Sequence, residues 1–174
     1  VRYETGMQRA VQYLYSLGHR RMAFAGHHAA LSPLEVRKKA FLAAMKRYGR
    51  EVQSRTALSH DSPAGGAQAV RELFGSGFRP TAIVCVNDYM AVGVLRELRA
   101  RGVAVPGGVS VTGFDNVELA EFTNPALTTL DIPRAAIGRM ALEALLQEEG
   151  SETVPREVLL DPELVVRDST GPAR

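Results

Sequence analysis

Residues 81–102 read TAIVCVNDYMAVGVLRELRARG, and this stretch decides the fold. Apart from Thr81, its first six residues are apolar, which is typical of a parallel strand buried on both faces. Asn87 and Asp88 interrupt the run, and apolar residues then recur at the three-to-four-residue spacing of an amphipathic helix. The stretch therefore predicts a strand, a polar turn and a helix, which together form the repeating unit of an α/β sheet.

The same alternation extends in both directions along the chain. Apolar runs predict four strands near 22–26, 52–58, 81–86 and 109–114. Helical spacing of apolar residues predicts helices near 6–17, 34–48, 67–74, 89–101 and 134–148. We therefore expect an α/β fold with a doubly wound parallel sheet and helices on both faces. After Pro125 the alternation breaks, and runs at 157–160 and 163–167 predict a hairpin or edge pair.

Composition indicates a globular protein of a reducing compartment. The chain has 174 residues, of which 45% are hydrophobic, enough to bury a core without metals or disulfides. Its single cysteine, Cys85, lies within the apolar run and is expected to be buried and inert. The first residues show no signal peptide, and no apolar run is long enough to span a membrane. We expect a cytoplasmic protein with no membrane partner.

Charge is distributed unevenly along the chain. Residues 1–60 carry eleven Lys/Arg and three Asp/Glu, a net charge of +8, whereas the remainder carries a net charge of −6. A basic half would suit nucleic acid, but five of its cations fall on one predicted helix between 37 and 47 without interleaved aromatic residues. We interpret them as a solvated helix face.

Polar pairs follow all four predicted strands, and ligands of open parallel sheets bind beyond the carboxyl ends of the strands. The pairs are His27-His28, His60-Asp61, Asn87-Asp88 and Asp115-Asn116. Asp88 is expected to cap the next helix. Asn87 and Asp115 have no such role in the pattern and are better ligand candidates. Carboxylates and amides each offer several hydrogen-bonding positions, which suits a polyhydroxylated ligand.

No motif of a known catalytic chemistry is present. The sequence has no Gly-x-Ser-x-Gly elbow, no phosphate-binding loop ending in Lys-Ser/Thr and no His-Glu-x-x-His pair. His27 and His28 are adjacent and lack the spacing of metal ligands, and one cysteine cannot form a thiolate zinc site. We therefore expect no enzyme activity, no metal and no cofactor.

In order and spacing, several segments resemble the lactose/galactose-repressor (LacI/GalR) family of bacterial transcription regulators. The matching segments are 17–24, 80–83, 87–93, 109–115, 125–129 and 163–170. Each is weak alone, but the ordered set is specific, above all the Asn-Asp-x-Met-Ala-x-Gly segment from Asn87 to Gly93 and the Val-x-Gly-Phe-Asp segment ending at Asp115. The resemblance covers nearly the whole chain.

The resemblance implies two lobes of the periplasmic binding protein-like type I fold, with a ligand cleft between them and a helix-turn-helix head. It assigns 1–18 and 131–150 to the N-terminal lobe, the latter as a return helix. It assigns 19–130 to a nearly complete C-terminal effector-binding lobe, and 151–174 to that lobe's closing strands and tail. The apolar stripes of helices 6–17 and 134–148 are then expected to lack their partner sheet and to cause self-association.

The resemblance also implies a site and partners. It places Arg37, Asp61, Asn87 and Asp115 at effector-binding positions, although Asp61 stands where the family often has an aromatic residue. Ile132 stands where Gln is common, and Thr5 where Asp or Asn is common. The effector implied is a sugar, with a nucleoside as alternative, and operator DNA would be bound only through the head. Contact regions at 89–101 and 117–124 imply a homodimer.

Two other classes stay open at the level of sequence. A periplasmic sugar-binding protein of a transport system shares the two-lobe fold, so fold alone does not separate it from a regulator. An enzyme of the flavodoxin-like class, such as a sugar isomerase, would need an acid/base pair or metal cluster, and the pattern contains neither.

Overall fold

The centre of the fold is a four-stranded parallel sheet. The structure is a computed structural model that describes residues 1–28, 32–146 and 157–174, with the backbone alone at 32–34. The sheet strands are β1 (Arg21–His27), β2 (Gln53–Ser59), β3 (Ala82–Cys85) and β4 (Ser110–Thr112), in the order β2-β1-β3-β4. The strand predictions are confirmed, and all neighbouring pairs are parallel.

Helices cover both faces of this sheet, as the alternation predicts. They are α1 (Tyr3–Ser16), α2 (Ser32–Lys46), α3 (Pro63–Gly75), α4 (Asp88–Ala100), the short α5 (Leu119–Phe122) and α6 (Arg134–Leu146), with a 3₁₀ turn at Gly49–Glu51. Within the described ranges, none of these helices is long and apolar enough to cross a membrane.

Two hydrophobic cores follow from the pleat of the strands. In β1, Met22 and Phe24 belong to the core beneath α1 and α2, whereas Ala23 and Ala25 belong to the core beneath α3 and α4. Successive side chains of a strand point to opposite faces, so one apolar run supplies both cores. Cys85 is fully buried in the second core, as predicted, and burial raises the pKa of its thiol above the usual range.

The packing of α1 corrects one expectation. Its apolar stripe, which includes Met7, Val11 and Leu14, is fully buried and shares a core with Phe24 of β1 and Phe41 of α2. The prediction that this stripe lacks a partner is wrong, because the sheet of the described lobe itself covers it. Residues 3–16 thus pack within the lobe and not apart from it.

Helix α6 behaves in the opposite way. It has no buried residue among its described positions. Ile137, Leu142, Leu145 and Leu146 are all exposed. The predicted end of this helix, at 147–148, lies outside the described residues. Exposed apolar side chains grouped on one helix are typical of interaction surfaces.

The C-terminal pairing also differs from the prediction. Strand β6 (Glu163–Val165) pairs antiparallel with β5 (Thr129–Asp131), and not with residues 157–160, which form no strand. Single parallel bridges join Thr112 to Thr128 and Asp115 to Asp131. Residues 128–131 therefore run beside β4 and its following loop, and bring β6 toward the carboxyl end of the sheet.

Candidate ligand-binding site

The four predicted site residues lie beyond the carboxyl ends of the strands, where an open parallel sheet binds ligands. Asp61, Asn87 and Asp115 follow β2, β3 and β4, and Arg37 lies on α2, which follows β1. The structure joins them in two pairs, Arg37 with Asp115 and Asn87 with Asp61.

Arg37 is a buried cation held in a fixed orientation. Its Nη2 donates to Asp115 Oδ1 at 2.9 Å, and its Nη1 donates to the carbonyl oxygen of Val86 at 2.7 Å. The guanidinium carbon lies 3.9 Å from the ring centre of Phe114 and 4.7 Å from that of Tyr3. A planar guanidinium suits this combination of a carboxylate partner and stacked rings, so Lys would not replace it. Sequence reasoning did not find the two aromatic residues, which are separated by more than a hundred positions.

Asp115 lies in a loop of unusual backbone geometry. Its φ is 105° and that of Asn116 is 48°, both in the left-handed region that disfavours most residues but that Asp and Asn tolerate. Burial raises the pKa of Asp115, and the Arg37 guanidinium opposes that rise. Arg134 of α6 donates to the carbonyl oxygens of both Asp115 and Asn116, to the latter at 2.8 Å. The carboxylate is thus positioned by its backbone as well as by its cation.

Asn87 is the N-cap of α4, which corrects the prediction for Asp88. The Asn87 Oδ1 accepts a hydrogen bond from the backbone N–H of Met90 at 2.8 Å. Its Nδ2 donates to Asp61 Oδ1 at 2.8 Å, so the amide serves the helix with its oxygen and the site with its nitrogen. His27 Nε2 lies 3.7 Å from the other oxygen of Asp61. The capping role that the sequence assigned to Asp88 belongs to the preceding residue because α4 begins one position earlier than expected.

Asp88 instead lies beneath the loop that follows β4, with only 1% of its surface exposed. Its carboxylate accepts hydrogen bonds from Thr129 Oγ1 at 2.5 Å and from the Val117 N–H at 2.8 Å. Burial raises its pKa to about 6, although these hydrogen bonds act in the opposite direction. Nothing in the Asn-Asp dipeptide predicts that Asp88 binds this loop, since Asn and Asp are equally common as helix N-caps.

The two pairs interact electrostatically: the nearby Asp61 carboxylate contributes to the raised pKa of Asp115. Together they offer fixed donors from Arg37, acceptors from Asp61 and Asp115, and a donor from the Asn87 amide nitrogen. Among the described residues, no three His, Cys, Asp or Glu side chains are grouped as a metal site would require. The arrangement suits hydrogen bonding to a polar organic ligand.

The other departures from the family pattern lie near the site without joining it. Ile132 packs, partly buried, against the core beneath α1 and α2. Thr5 is partly exposed on α1. His28 and His60 are exposed, and among the described contacts neither forms a hydrogen bond with the four site residues.

A separate groove of about 300 Å³ lies between α4 and the segment that follows α5. Its lining includes Val92, Leu95, Arg96, Leu119 and Phe122, and Phe122 is 74% exposed. We call this the α4 groove. Four of its eight lining residues are apolar, and it shares no residue with the polar site, so it is a surface of a different kind.

A parallel sheet with charged residues gathered beyond its carboxyl ends defines a class of α/β ligand-binding domains. Residues 11–170 match the periplasmic binding protein-like domain family. The chain belongs to this family, in the form found in LacI-type transcriptional regulators.

The similarity to regulators is seen in sequence and in structure. The chain is 35% identical over 163 residues to the transcriptional repressor CytR of Escherichia coli K12, covering 92% of this chain and 48% of CytR. It superposes on the dimeric Lac repressor with a TM-score of 0.92 at 26% identity, over 100% of this chain and 64% of that one. A LacI-family regulator of Enterococcus faecium with bound ribose gives a TM-score of 0.87 at 27% identity, over 99% and 64% of the two chains. The chain therefore spans about half the length of the curated relatives it matches.

Proposed function

We propose that this chain is the effector-binding lobe of a LacI-type transcription regulator, and that Arg37, Asp61, Asn87 and Asp115 bind the effector. The observation that carries the proposal is the convergence of these four side chains, in two hydrogen-bonded pairs, at the carboxyl edge of the sheet. The protein would act in the cytoplasm, through operator DNA bound by a separate head, and would catalyse no reaction.

A sugar is the effector that this chemistry favours. Each hydroxyl group is both a donor and an acceptor, and the site supplies carboxylate acceptors beside amide and guanidinium donors. Arg37 is already neutralised by Asp115, so its charge is not free for an anionic ligand. The structurally similar LacI-family regulator with bound ribose supports a sugar as the class of effector. A nucleoside, which carries the same hydroxyl groups on its ribose, is the second candidate.

The exposed face of α6 supports a second lobe. Its apolar residues Ile137, Leu142, Leu145 and Leu146 are exposed, and the relatives extend well beyond this chain. We assign 3–130 and 157–174 to one lobe and 134–146 to the surface that faces the other lobe. Effector binding between two lobes would favour one closure state, and closure would change the spacing of paired heads.

The α4 groove supports a homodimer. Phe122 and Leu119 are exposed apolar residues beside a concave surface, a combination that marks protein interfaces. The relative solved as the dimeric Lac repressor supports the same state.

In the full-length protein, we expect Phe122→Glu to convert dimers to monomers in sedimentation, whereas Val166→Glu, at an exposed residue that does not line the groove, should not. A dimeric Phe122→Glu variant would contradict this assignment.

The effector proposal is tested by calorimetry on the full-length protein with ribose, galactose, lactose, adenosine and cytidine. We expect at least one to bind, and Asn87→Ser to weaken that binding about tenfold, since Ser retains the helix cap but removes the amide that faces Asp61. Gln68→Ala, which removes an exposed amide on α3 away from both the site and the α4 groove, is the matched control and should leave affinity unchanged. Absence of binding to every compound, or equal affinity in Asn87→Ser, would contradict the proposal.

A further inference from the structure

The loop at 113–117, which carries the proposed ligand carboxylate, departs from the usual backbone geometry. Two consecutive residues, Asp115 and Asn116, have positive φ. Residues held there cost free energy and persist only where the surrounding structure fixes them. The question is therefore which groups fix the loop that carries the proposed ligand carboxylate.

Asp88 contacts this loop on both sides of the two left-handed residues. Its backbone N–H donates to the Phe114 carbonyl oxygen at 2.8 Å, and its carboxylate accepts from the Val117 N–H at 2.8 Å. Thr129 joins the same network, because its hydroxyl donates to Asp88 and accepts from the Asn116 N–H at 3.4 Å. Asp88 thus forms hydrogen bonds to the residues on both sides of the two left-handed residues, and it is linked through Thr129 to Asn116 between them.

The approach of Asp88 to the loop is close, and it depends on a glycine. A Cβ built on Gly113 would overlap Asp88 Oδ1, so a side chain at 113 would displace the carboxylate. Taking a carboxylate out of water is costly, and only well-placed hydrogen bonds offset that cost. The raised pKa of Asp88 reflects this cost, and the two hydrogen bonds that its carboxylate accepts, from Thr129 and Val117, partly offset it.

Asn87 and Asp88 therefore connect the two halves of the site. Asn87 reaches Asp61 on one side, and Asp88 reaches the Asp115 loop on the other. Because the two are consecutive, the first turn of α4 sets the position of one half relative to the other.

We propose that Asp88 is a positioning residue, whose buried carboxylate holds the 113–117 loop in the left-handed conformation that presents Asp115 to the ligand. Asp88 itself does not touch the ligand. The claim about the ligand rests on the proposed function, whereas the claim about the loop does not.

Hydrogen exchange in the full-length protein tests the loop directly, without any ligand. In Asp88→Asn, which keeps the shape of the side chain, we expect the Asn116 and Val117 amides to exchange at least tenfold faster than in the wild type. The Val111 amide, which donates to Ser169 in the body of the lobe, should change much less. Thr129→Val is a milder change and should accelerate exchange of the Asn116 amide in the same way. This variant still tests the proposal if Asp88→Asn does not fold.

Ser110→Ala is the matched control, because it removes a buried hydrogen bond to His19 at the opposite end of β4. It should lower stability without accelerating the 116–117 amides selectively. Exchange at these amides that is unchanged in Asp88→Asn and Thr129→Val, or that rises only in parallel with Val111, would overturn the proposal.

Affinity provides the second measurement. For whichever of ribose, galactose, lactose, adenosine or cytidine binds the wild type, Asp88→Asn should weaken binding about tenfold, and Ser110→Ala should not. If none binds the wild type, the proposed function fails while exchange still decides the role of Asp88. If Asp88→Asn loosens the loop but leaves affinity unchanged, the presentation of Asp115 to the ligand is refuted.

Discussion

Replacing Asp115 with Ala should destabilise the protein as well as weaken effector binding. The change leaves the Arg37 guanidinium without its carboxylate, although only 6% of the Arg37 side chain is exposed. Breaking a fully buried ion pair costs about 3–5 kcal/mol, and the 27% exposure of Asp115 places this pair below that range, at about 2 kcal/mol. Ala at a φ of 105° adds about 1 kcal/mol of backbone strain. The total of about 3 kcal/mol corresponds to a melting temperature lower by about 6–12 °C.

Two further variants separate the contributions. Asp115→Asn keeps an oxygen for Arg37 and tolerates the left-handed backbone, so we expect a loss of only about 1 kcal/mol. Asp161→Ala breaks the exposed pair with Arg2 at 3.5 Å and should cost less than about 1 kcal/mol. Thermal and urea unfolding of the full-length variants provide the comparison. A loss in Asp115→Ala no larger than that in Asp161→Ala would refute the view that the Arg37 pair is a buried structural contact.

Three other perturbations have defined outcomes. Gly93→Ala should lower the free energy of unfolding by about 1–3 kcal/mol in urea titrations, because its Cβ would overlap the Pro63 carbonyl oxygen between α3 and α4. The control Gly75→Ala, whose Cβ would meet open space, should change stability little. Burial raises the pKa of Asp88 from 3.8 to about 6, so between these pH values the folded state binds a proton that the unfolded state has lost. The free energy of unfolding, measured relative to Asp88→Asn, should therefore fall by about 3 kcal/mol as pH rises from 4 to 7. The same difference in stability between wild type and Asp88→Asn at pH 4 and at pH 7 would contradict this. Cys85 should react with a thiol reagent only as fast as the lobe unfolds, because its thiol is fully buried and its pKa is raised; rapid labelling of the native protein would show otherwise.

The sheet was predictable because its signal is local and repeated. Strands β1 and β3 contain short apolar runs, and each is followed by a helix whose apolar spacing indicates its buried face. The location of the site followed from the same reading, since polar residues after parallel strands meet at one edge. Arg37 was placed there by family resemblance alone, because its helix carries several other cations and nothing local distinguishes it.

The errors concern register and long-range pairing. Asn87 and Asp88 are both good capping residues, and a shift of one position in the start of α4 exchanges their roles. Strand β6 pairs with a segment more than thirty residues earlier and not with its neighbour, and no local propensity encodes that choice. The burial of α1 was detectable from its stripe of apolar residues, but the lobe assignment taken from the resemblance overrode that signal.

The loop that carries Asp115 shows why a binding site is harder to predict than the sheet beneath it. Local sequence suggests only a turn at Asp115 and Asn116, because both residues tolerate positive φ. The direction of the carboxylate is fixed by Arg37 from α2, by Asp88 from α4 and by Arg134 from α6. These three contacts come from elements far apart in sequence, so no single local stretch encodes them. A strand needs only its own apolar residues to be recognised, whereas the conformation of this loop depends on residues from three separate helices.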